Sequence, residues 1–124
     1  MSRAVGPYSP VRRVGDWVVA SGQVGLSTDD SGASSVVAGG TVAELRQALQ
    51  NLAEVLAIEG ATLPDVVKTT LFLVDMGDFA AVNDVWVEYF TDPARRPTRT
   101  TVAVAALPLG ARVEVEAWAY APVV

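Results

Sequence analysis

The sequence contains neither cysteine nor histidine. Their absence excludes disulfide bonds, thiolate or imidazole zinc sites, Cys/His and Ser/His nucleophilic arrangements, and histidine as a general base. Carboxylates could still bind a metal ion, but no clustered acidic motif such as an EF-hand loop occurs in the chain. Any chemistry must therefore use Asp, Glu, Tyr, Arg, Lys, backbone groups and water, and we expect no metal and no cofactor.

Charged residues are scarce as well, at 19% of the chain against 51% hydrophobic residues. Nine basic and fourteen acidic side chains give a net charge of −5, and no basic stripe is present that could neutralise several phosphates. Nucleic acid and anionic membranes are therefore not expected as partners. Because few polar residues are available to cover a small domain, some apolar surface is expected to pack against another subunit.

Long hydrophobic runs are absent, since none approaches the ~20 residues that span a bilayer. The N-terminal residues 1–7 also lack the apolar core of a secretion signal. The sequence thus predicts a cytoplasmic protein without a membrane partner. Its 124 residues suffice for one hydrophobic core but not for two, so we predict a single domain over residues 1–124.

The hydrophobic pattern predicts an α+β fold, a mixed sheet with two helices on one face, in the order ββαβαββ. Two helices cannot cover both faces of such a sheet, so the other face is expected to meet other subunits. The predicted elements are a hairpin over residues 11–24, a helix over 41–59, a strand over 66–74, a helix over 79–90, and strands over 100–107 and 112–120.

Local signals set the limits of these elements. Residues 15–16 predict the turn of the hairpin, and Thr41 with Glu44 forms a capping-box pattern at the start of the first helix. In that helix the spacing of Leu45, Leu49, Leu52 and Leu56 predicts one buried face. Residues 26–40, rich in Ser, Gly and Asp, predict a surface loop that encloses a short edge strand. Residues 108–110 predict a tight turn between the last two strands.

The last predicted strand alternates apolar residues with a row that holds Glu114 and Glu116. Such a row is usually a solvated strand face, but Trp118 and Tyr120 continue it and argue against full exposure. A glutamate beside aromatic surface at a subunit boundary is partly desolvated. Desolvation raises its pKa and suits it to positioning or deprotonating water.

Five further residues are candidates for binding. Arg99 lies at the start of a predicted strand, where its planar guanidinium can bind a carboxylate through two parallel hydrogen bonds; a structural ion pair is the alternative. Tyr8 lies in a stiff segment, which turn structure explains about as well as binding does. Ser21 with Gly22 closes a strand where a ligand can approach the backbone, and a strand-ending bend explains this pair equally well. The predicted apolar side of the second helix holds Phe79, Val82, Trp86 and Phe90 or Tyr89, while Asn83 within the same helix is interpreted by default as an exposed polar position.

Taken together, these segments resemble the RidA/YjgF family of reactive imine and enamine deaminases over nearly the whole chain. The closing block is the most specific, with PTRTTV at 97–102, LP at 107–108 and VEVEA at 113–117. The other matching stretches are GPYS at 6–9, SGQ at 21–23, DVVKTTLFL at 65–73 and FAAVN at 79–83. Their order and spacing agree with the family.

The resemblance implies a chorismate-mutase-like α+β fold, a homotrimer, and pockets in the clefts between subunits. It makes Arg99 the carboxylate-binding arginine and Glu114 the glutamate that helps to position the attacking water, with Tyr8 as the pocket tyrosine. The remaining pocket-lining positions correspond to Ser21, Gly22, Asn83 and Thr101. Many members carry a cysteine where this chain has Thr101, and the loop at 29–39 also diverges, which leaves the preferred substrate open.

The reaction implied is hydrolysis of a reactive 2-imino acid, such as 2-iminopropanoate or 2-iminobutanoate, to a 2-keto acid and ammonia. Arg99 would hold the carboxylate, while Glu114 and Tyr8 would orient water and handle protons, without a metal or cofactor. The alternative is a non-catalytic module of the same fold that binds or senses a small carboxylate. A nuclease is a third reading, which the net acidity and the lack of histidine disfavour.

Overall fold

A computed structural model describes residues 6–124 of the chain. The expectation that residues 1–7 lack the apolar core of a secretion signal rests mostly on residues 1–5, which lie outside the described residues. The helices are α1 (Gly40–Ile58) and α2 (Phe79–Tyr89), and the strands are β1 (Val11–Val14), β2 (Trp17–Val24), β3 (Leu26–Thr28), β4 (Ser34–Val36), β5 (Val66–Leu73), β6 (Thr98–Ala103) and β7 (Val113–Tyr120).

Five of the strands form one mixed sheet in the order β1-β2-β7-β5-β6. β1 and β2 are an antiparallel hairpin, β7 runs antiparallel to both β2 and β5, and β6 is parallel to β5. α1 packs against β2 and β7, and α2 packs against α1 within the same hydrophobic core. The predicted α+β class, with two helices on a mixed sheet, is confirmed.

The connection between the last two strands differs from the prediction, because β5 lies between β6 and β7. β6 ends at Ala103, where its parallel ladder with β5 ends, rather than at residue 107. The chain then crosses to the far side of β5 and passes through a short 3-10 turn at Pro108–Gly110. The predicted turn at these residues is therefore present, but it does not join neighbouring strands.

The predicted loop at residues 26–40 contains two short strands rather than one. β3 and β4 pair as a separate hairpin, in which Asp29 Oδ1 accepts the backbone N–H of Ser31 at 2.9 Å and of Ala33 at 3.1 Å. Strands of three residues are too short to show an alternating pattern, so the sequence did not reveal the pair. A small cluster holds the hairpin against the sheet, and it contains Val24, Leu26 and Ala111, with Val36 and Leu107 packed against them.

The capping box predicted at Thr41 and Glu44 is wrong. α1 begins one residue before Thr41, after Gly39 adopts a φ of 116°, so Thr41 lies inside the helix. Thr41 Oγ1 donates to Asp78 Oδ2 at 2.6 Å, and Glu44 Oε1 accepts the backbone N–H of Arg112 at 2.8 Å. These side chains therefore join α1 to the segment before α2 and to the residue before β7.

The alternation predicted for the last strand is present in β7, whose valines and alanines face the core. Glu114, Glu116, Trp118 and Tyr120 lie on the opposite face, which we call the open face because both helices lie on the other side. Trp17 makes edge-on contacts there with Trp118 and Tyr120, with ring centroids 6.3 and 5.1 Å apart. Within residues 6–124, no helix is long and apolar enough to cross a membrane.

Candidate active site

Arg99 projects from β6 towards the helices. It pairs with the buried Thr69 of β5, so its side chain lies on the helix-covered face of the sheet. Thr69 Oγ1 also donates to the carbonyl oxygen of Thr98 at 2.8 Å, which fixes the backbone next to Arg99. Thr101 follows two residues later on the same face, opposite the core residue Leu71.

The guanidinium of Arg99 contacts three side chains of α2. Its Nη2 donates to Asn83 Oδ1 at 2.6 Å, and its Cζ lies 5.5 Å from the ring centroid of Phe79 and 5.0 Å from that of Trp86. Burial lowers the pKa of Arg99, but a guanidinium remains charged at neutral pH. No carboxylate of residues 6–124 forms an ion pair with it, which disfavours the alternative of a structural ion pair. We call these residues, with Thr101, the arginine cluster.

Glu114 lies on the open face of β7, directly over Gly22 of β2. The pairing of β2 with β7 shifts register between Ala20 and Gln23, and Gly22 lies in this irregularity. A Cβ at Gly22 would come within 2.7 Å of the Glu114 carboxyl carbon, so only glycine leaves room for the carboxylate in this position. Burial, and to a lesser extent the neighbouring Glu116, raises the pKa of Glu114.

Ser21 of β2 anchors the segment that carries Tyr8, next to β7, the strand that carries Glu114. Its Oγ donates to the carbonyl oxygen of Ser9 at 2.7 Å, and its backbone N–H donates to that of Pro10 at 2.9 Å. Tyr8 itself is 48% exposed, so its ring is accessible to a ligand or a partner. Tyr8, Ser21, Gly22 and Glu114 are called the glutamate cluster.

A single copy of the chain does not bring the two clusters together. Arg99 lies on the helix-covered face of the edge strand β6, whereas Glu114 lies on the open face of β7, with β5 between the two strands. One small substrate cannot contact both side chains in this copy. The site residues predicted from the sequence are thus grouped in two places.

Two residues of the arginine cluster were not predicted as site residues. The sequence identified Phe79 and Trp86 only as part of the apolar side of the second helix. Phe79, Asn83 and Trp86 are spaced at i, i+4 and i+7, and this spacing was the available signal that the three side chains share one face of the helix. Asn83, interpreted by default as an exposed polar position, is instead only partly exposed and accepts a hydrogen bond from Arg99.

The described residues offer no evident metal centre, since no three Asp or Glu side chains of residues 6–124 are grouped so that they could hold an ion. The arrangement offers instead a cation suited to a carboxylate, and a carboxylate of raised pKa suited to accepting a proton from water.

The chain matches known proteins over nearly its whole length. Residues 1–121 match a family model described as Endoribonuclease L-PSP. RidA from the Antarctic bacterium Psychrobacter is 38% identical, with a TM-score of 0.84 and with 95% of this chain and 91% of that chain covered. The YjgF gene product of E. coli is 36% identical, with a TM-score of 0.83 and coverage of 94% and 90%. The chain belongs to the RidA/YjgF family.

Some relatives of this RidA/YjgF protein carry names that describe an activity. A protein of Mus musculus named 2-iminobutanoate/2-iminopropanoate deaminase is 47% identical over 114 residues, which are 92% of this chain and 81% of the mouse protein. A Homo sapiens protein of the same name is 41% identical, with 92% and 80% covered. Protein DfrA of Myxococcus xanthus is 43% identical over 117 residues, with 93% and 86% covered. The family resemblance read from the motifs is thus confirmed.

Proposed function

We propose that this protein is a 2-iminoacid deaminase, a hydrolase that converts reactive 2-imino acids to 2-keto acids and ammonia. The observation that carries the proposal is the guanidinium of Arg99, held by Asn83 while donors remain that could bind a carboxylate. The deaminase relatives at 41–47% identity support the choice of substrate class, such as 2-iminopropanoate or 2-iminobutanoate. The cytoplasmic location expected from the sequence stays a prediction.

The reaction requires water to attack the imine carbon. Arg99 holds the substrate carboxylate, and Glu114 accepts a proton as the water oxygen bonds to carbon, with Tyr8 helping to orient the water. Glu114 passes this proton to the imine nitrogen, which gives a neutral carbinolamine. Glu114 then takes the hydroxyl proton as the C=O bond forms and the C–N bond breaks, and the departing nitrogen receives that proton and leaves as ammonia. The uncatalysed hydrolysis is already easy, so positioning and electrostatics suffice without a strong nucleophile.

A complete site needs more than one copy of the chain in this proposal. Because the arginine and glutamate clusters lie on opposite faces of one sheet, the arginine cluster of one subunit must face the glutamate cluster of another. The homotrimer implied by the family resemblance supplies such clefts between subunits. The exposed aromatic residues of the open face are the surface that such an assembly would cover.

The direct test generates the imine in situ with a PLP-dependent dehydratase or an amino-acid oxidase and follows its hydrolysis. Arg99→Ala should lower the rate roughly thirty- to several-thousand-fold, because the substrate carboxylate loses the positive partner that it meets in a partly buried site. Arg99→Lys keeps the charge but loses the planar fork, so only partial activity is expected. Arg46→Ala, which removes an exposed arginine of α1 paired with Glu88, is the matched control and should be as active as wild type.

The outcomes separate the competing functions. Binding of a 2-keto acid without turnover of any imine would favour a sensing module, and an assembled Arg99→Ala protein with wild-type turnover would end the deaminase proposal. Because the matching family model is described as an endoribonuclease, single-stranded RNA is assayed with the same preparations, and no cleavage is expected. Dialysis against EDTA is expected to leave the activity unchanged.

A further inference from the structure

The surface of α2 beside Arg99 is aromatic. Phe79, Asn83 and Trp86 form one stripe of the helix, and both rings lie within 5.5 Å of Arg99 Cζ when measured to their centroids. A guanidinium within about 6 Å of a ring centroid is attracted by the negative face of the ring. Arg99 is therefore held by two kinds of contact, a hydrogen bond and ring contacts.

These contacts differ in what they leave available. The hydrogen bond to Asn83 uses an N–H of Nη2, and a guanidinium carries five N–H donors in all. The ring contacts restrain the guanidinium without occupying any donor. A long side chain thus loses freedom before the substrate arrives, while the donors needed for two parallel bonds to a carboxylate remain.

We propose that Trp86 is a positioning residue for substrate binding, which acts by holding the guanidinium of Arg99. Trp86 is 5% exposed, and its ring is packed against that of Phe90 with centroids 4.7 Å apart, so the core fixes it. Phe79 is 41% exposed and lies at a greater distance, so it is the weaker restraint. The inference rests on the proposed function for its substrate, a carboxylate-bearing imine.

The first test compares two substitutions of Trp86. Trp86→Leu keeps an apolar side chain without a ring, and it should raise KM for the carboxylate-bearing imine roughly five- to thirty-fold with little change in kcat. Trp86→Phe keeps a ring and should restore KM to within about threefold of wild type. For an imine that lacks a carboxylate, none of these substitutions should change KM.

Val85→Ala is the control for a general loss of stability, because Val85 is 2% exposed on the same helix but lies outside the stripe that Phe79, Asn83 and Trp86 form. Its melting temperature should fall, but its KM should match that of wild type. An equal rise of KM in Val85→Ala and Trp86→Leu would overturn the proposal. So would a Trp86→Phe protein no better than Trp86→Leu.

A second readout does not need turnover. The ring faces shift the NMR signal of the Arg99 Nε–H, which is identified by its loss in Arg99→Lys, and Trp86→Leu should move this signal towards its unperturbed position. A signal that stays in place would refute the contact between Trp86 and Arg99. If the wild type hydrolyses no imine, the proposed function is refuted, but the role of Trp86 can still be tested. The NMR shift and the affinity for a 2-keto acid, measured by calorimetry, both report on it without turnover.

Discussion

At the scale of single residues, Gly22 controls where the carboxylate of Glu114 can lie. An added Cβ would come within 2.7 Å of the carboxyl carbon and 2.9 Å of Oε2. These atoms are the far end of a flexible side chain, so the fold can accept the methyl group if Glu114 moves away. The glycine thus sets the position of the proposed base rather than the stability of the strand.

Gly22→Ala is therefore expected to keep the fold and to lower kcat roughly ten- to a hundredfold, since small displacements of a reacting group are costly. Melting temperature and single-turnover rates on one preparation measure both effects. In a Glu114→Ala background, the same substitution should have no further effect, because the group that it displaces is gone. Additive losses in the double variant would contradict this account.

The pH dependence of activity depends on Glu114, whose pKa is raised by burial and by Glu116. The proposed base must be deprotonated, so activity should fall as pH falls through this raised pKa, above the usual value of ~4.3 for glutamate. The folded state binds this proton more tightly than the unfolded chain. The charged carboxylate therefore lowers stability above the raised pKa, and that cost disappears as pH falls through it.

Glu116→Gln tests the smaller of the two causes. Without the neighbouring negative charge, the acid limb of kcat/KM against pH should move slightly to lower pH, because burial remains as the main cause of the raised pKa. The plateau rate at higher pH should stay close to wild type. A limb that moves to higher pH would show that Glu116 does not act on Glu114 as described.

The residue types at the site were predictable, but their grouping was not. Alternation along the last strand placed Glu114 beside aromatic residues, and the strand start singled out Arg99. How far apart these two side chains lie depends on the strand order, which puts β5 between their strands, and the sequence does not contain that order in any local pattern. Trp86 was predicted only as part of the apolar side of the second helix, because helical spacing does not show that its ring also contacts Arg99 of β6.

At the scale of elements, α1 is tied to β7 through Glu44. This side chain is 4% exposed and accepts the backbone N–H of Arg112, the residue before the strand that carries Glu114. The pattern of Thr41 and Glu44 resembles a capping box, but a tertiary partner takes the carboxylate. A local motif cannot distinguish these two uses of one glutamate, whereas the leucine spacing of α1 predicted its buried face correctly.

Glu44→Ala is expected to lower the free energy of unfolding by about 1–2 kcal/mol, because it leaves a partly buried N–H without its acceptor. Glu44→Gln keeps an acceptor oxygen and should cost much less. Denaturant unfolding measures both. Glu88→Ala, which removes an exposed carboxylate paired with Arg46, is the comparison and should change stability by less than about 1 kcal/mol. Equal losses in the two alanine variants would contradict a specific role for Glu44.

At the scale of the whole molecule, the open face of the sheet carries exposed aromatic side chains. Trp17, Trp118 and Tyr120 are 39%, 46% and 45% exposed and lie edge to face. A group of large apolar side chains of this kind usually marks a contact with another chain. We expect it to be covered by other subunits, as the sequence pattern predicted, in the homotrimer that the family resemblance implies.

Trp118→Glu should therefore weaken the assembly and lower activity in proportion to the loss of trimer, because a charge is costly in a dry contact. Sedimentation at micromolar concentration measures the assembly. Ile58→Glu places the same charge at an exposed hydrophobic position in the last turn of α1, outside both clusters, and should leave the trimer intact. A fully active Trp118→Glu monomer would refute both the trimer and a site shared between subunits.

The placement of the two clusters on opposite faces makes the subunits able to complement one another. Arg99→Ala and Glu114→Gln proteins should each be nearly inactive alone. After mixed refolding, a cleft that takes its arginine from one variant and its glutamate from the other is intact, and in equal random mixtures this holds for about a quarter of the clefts. Activity regained to that level would mean that the catalytic unit is the interface between two chains, and not the single folded chain.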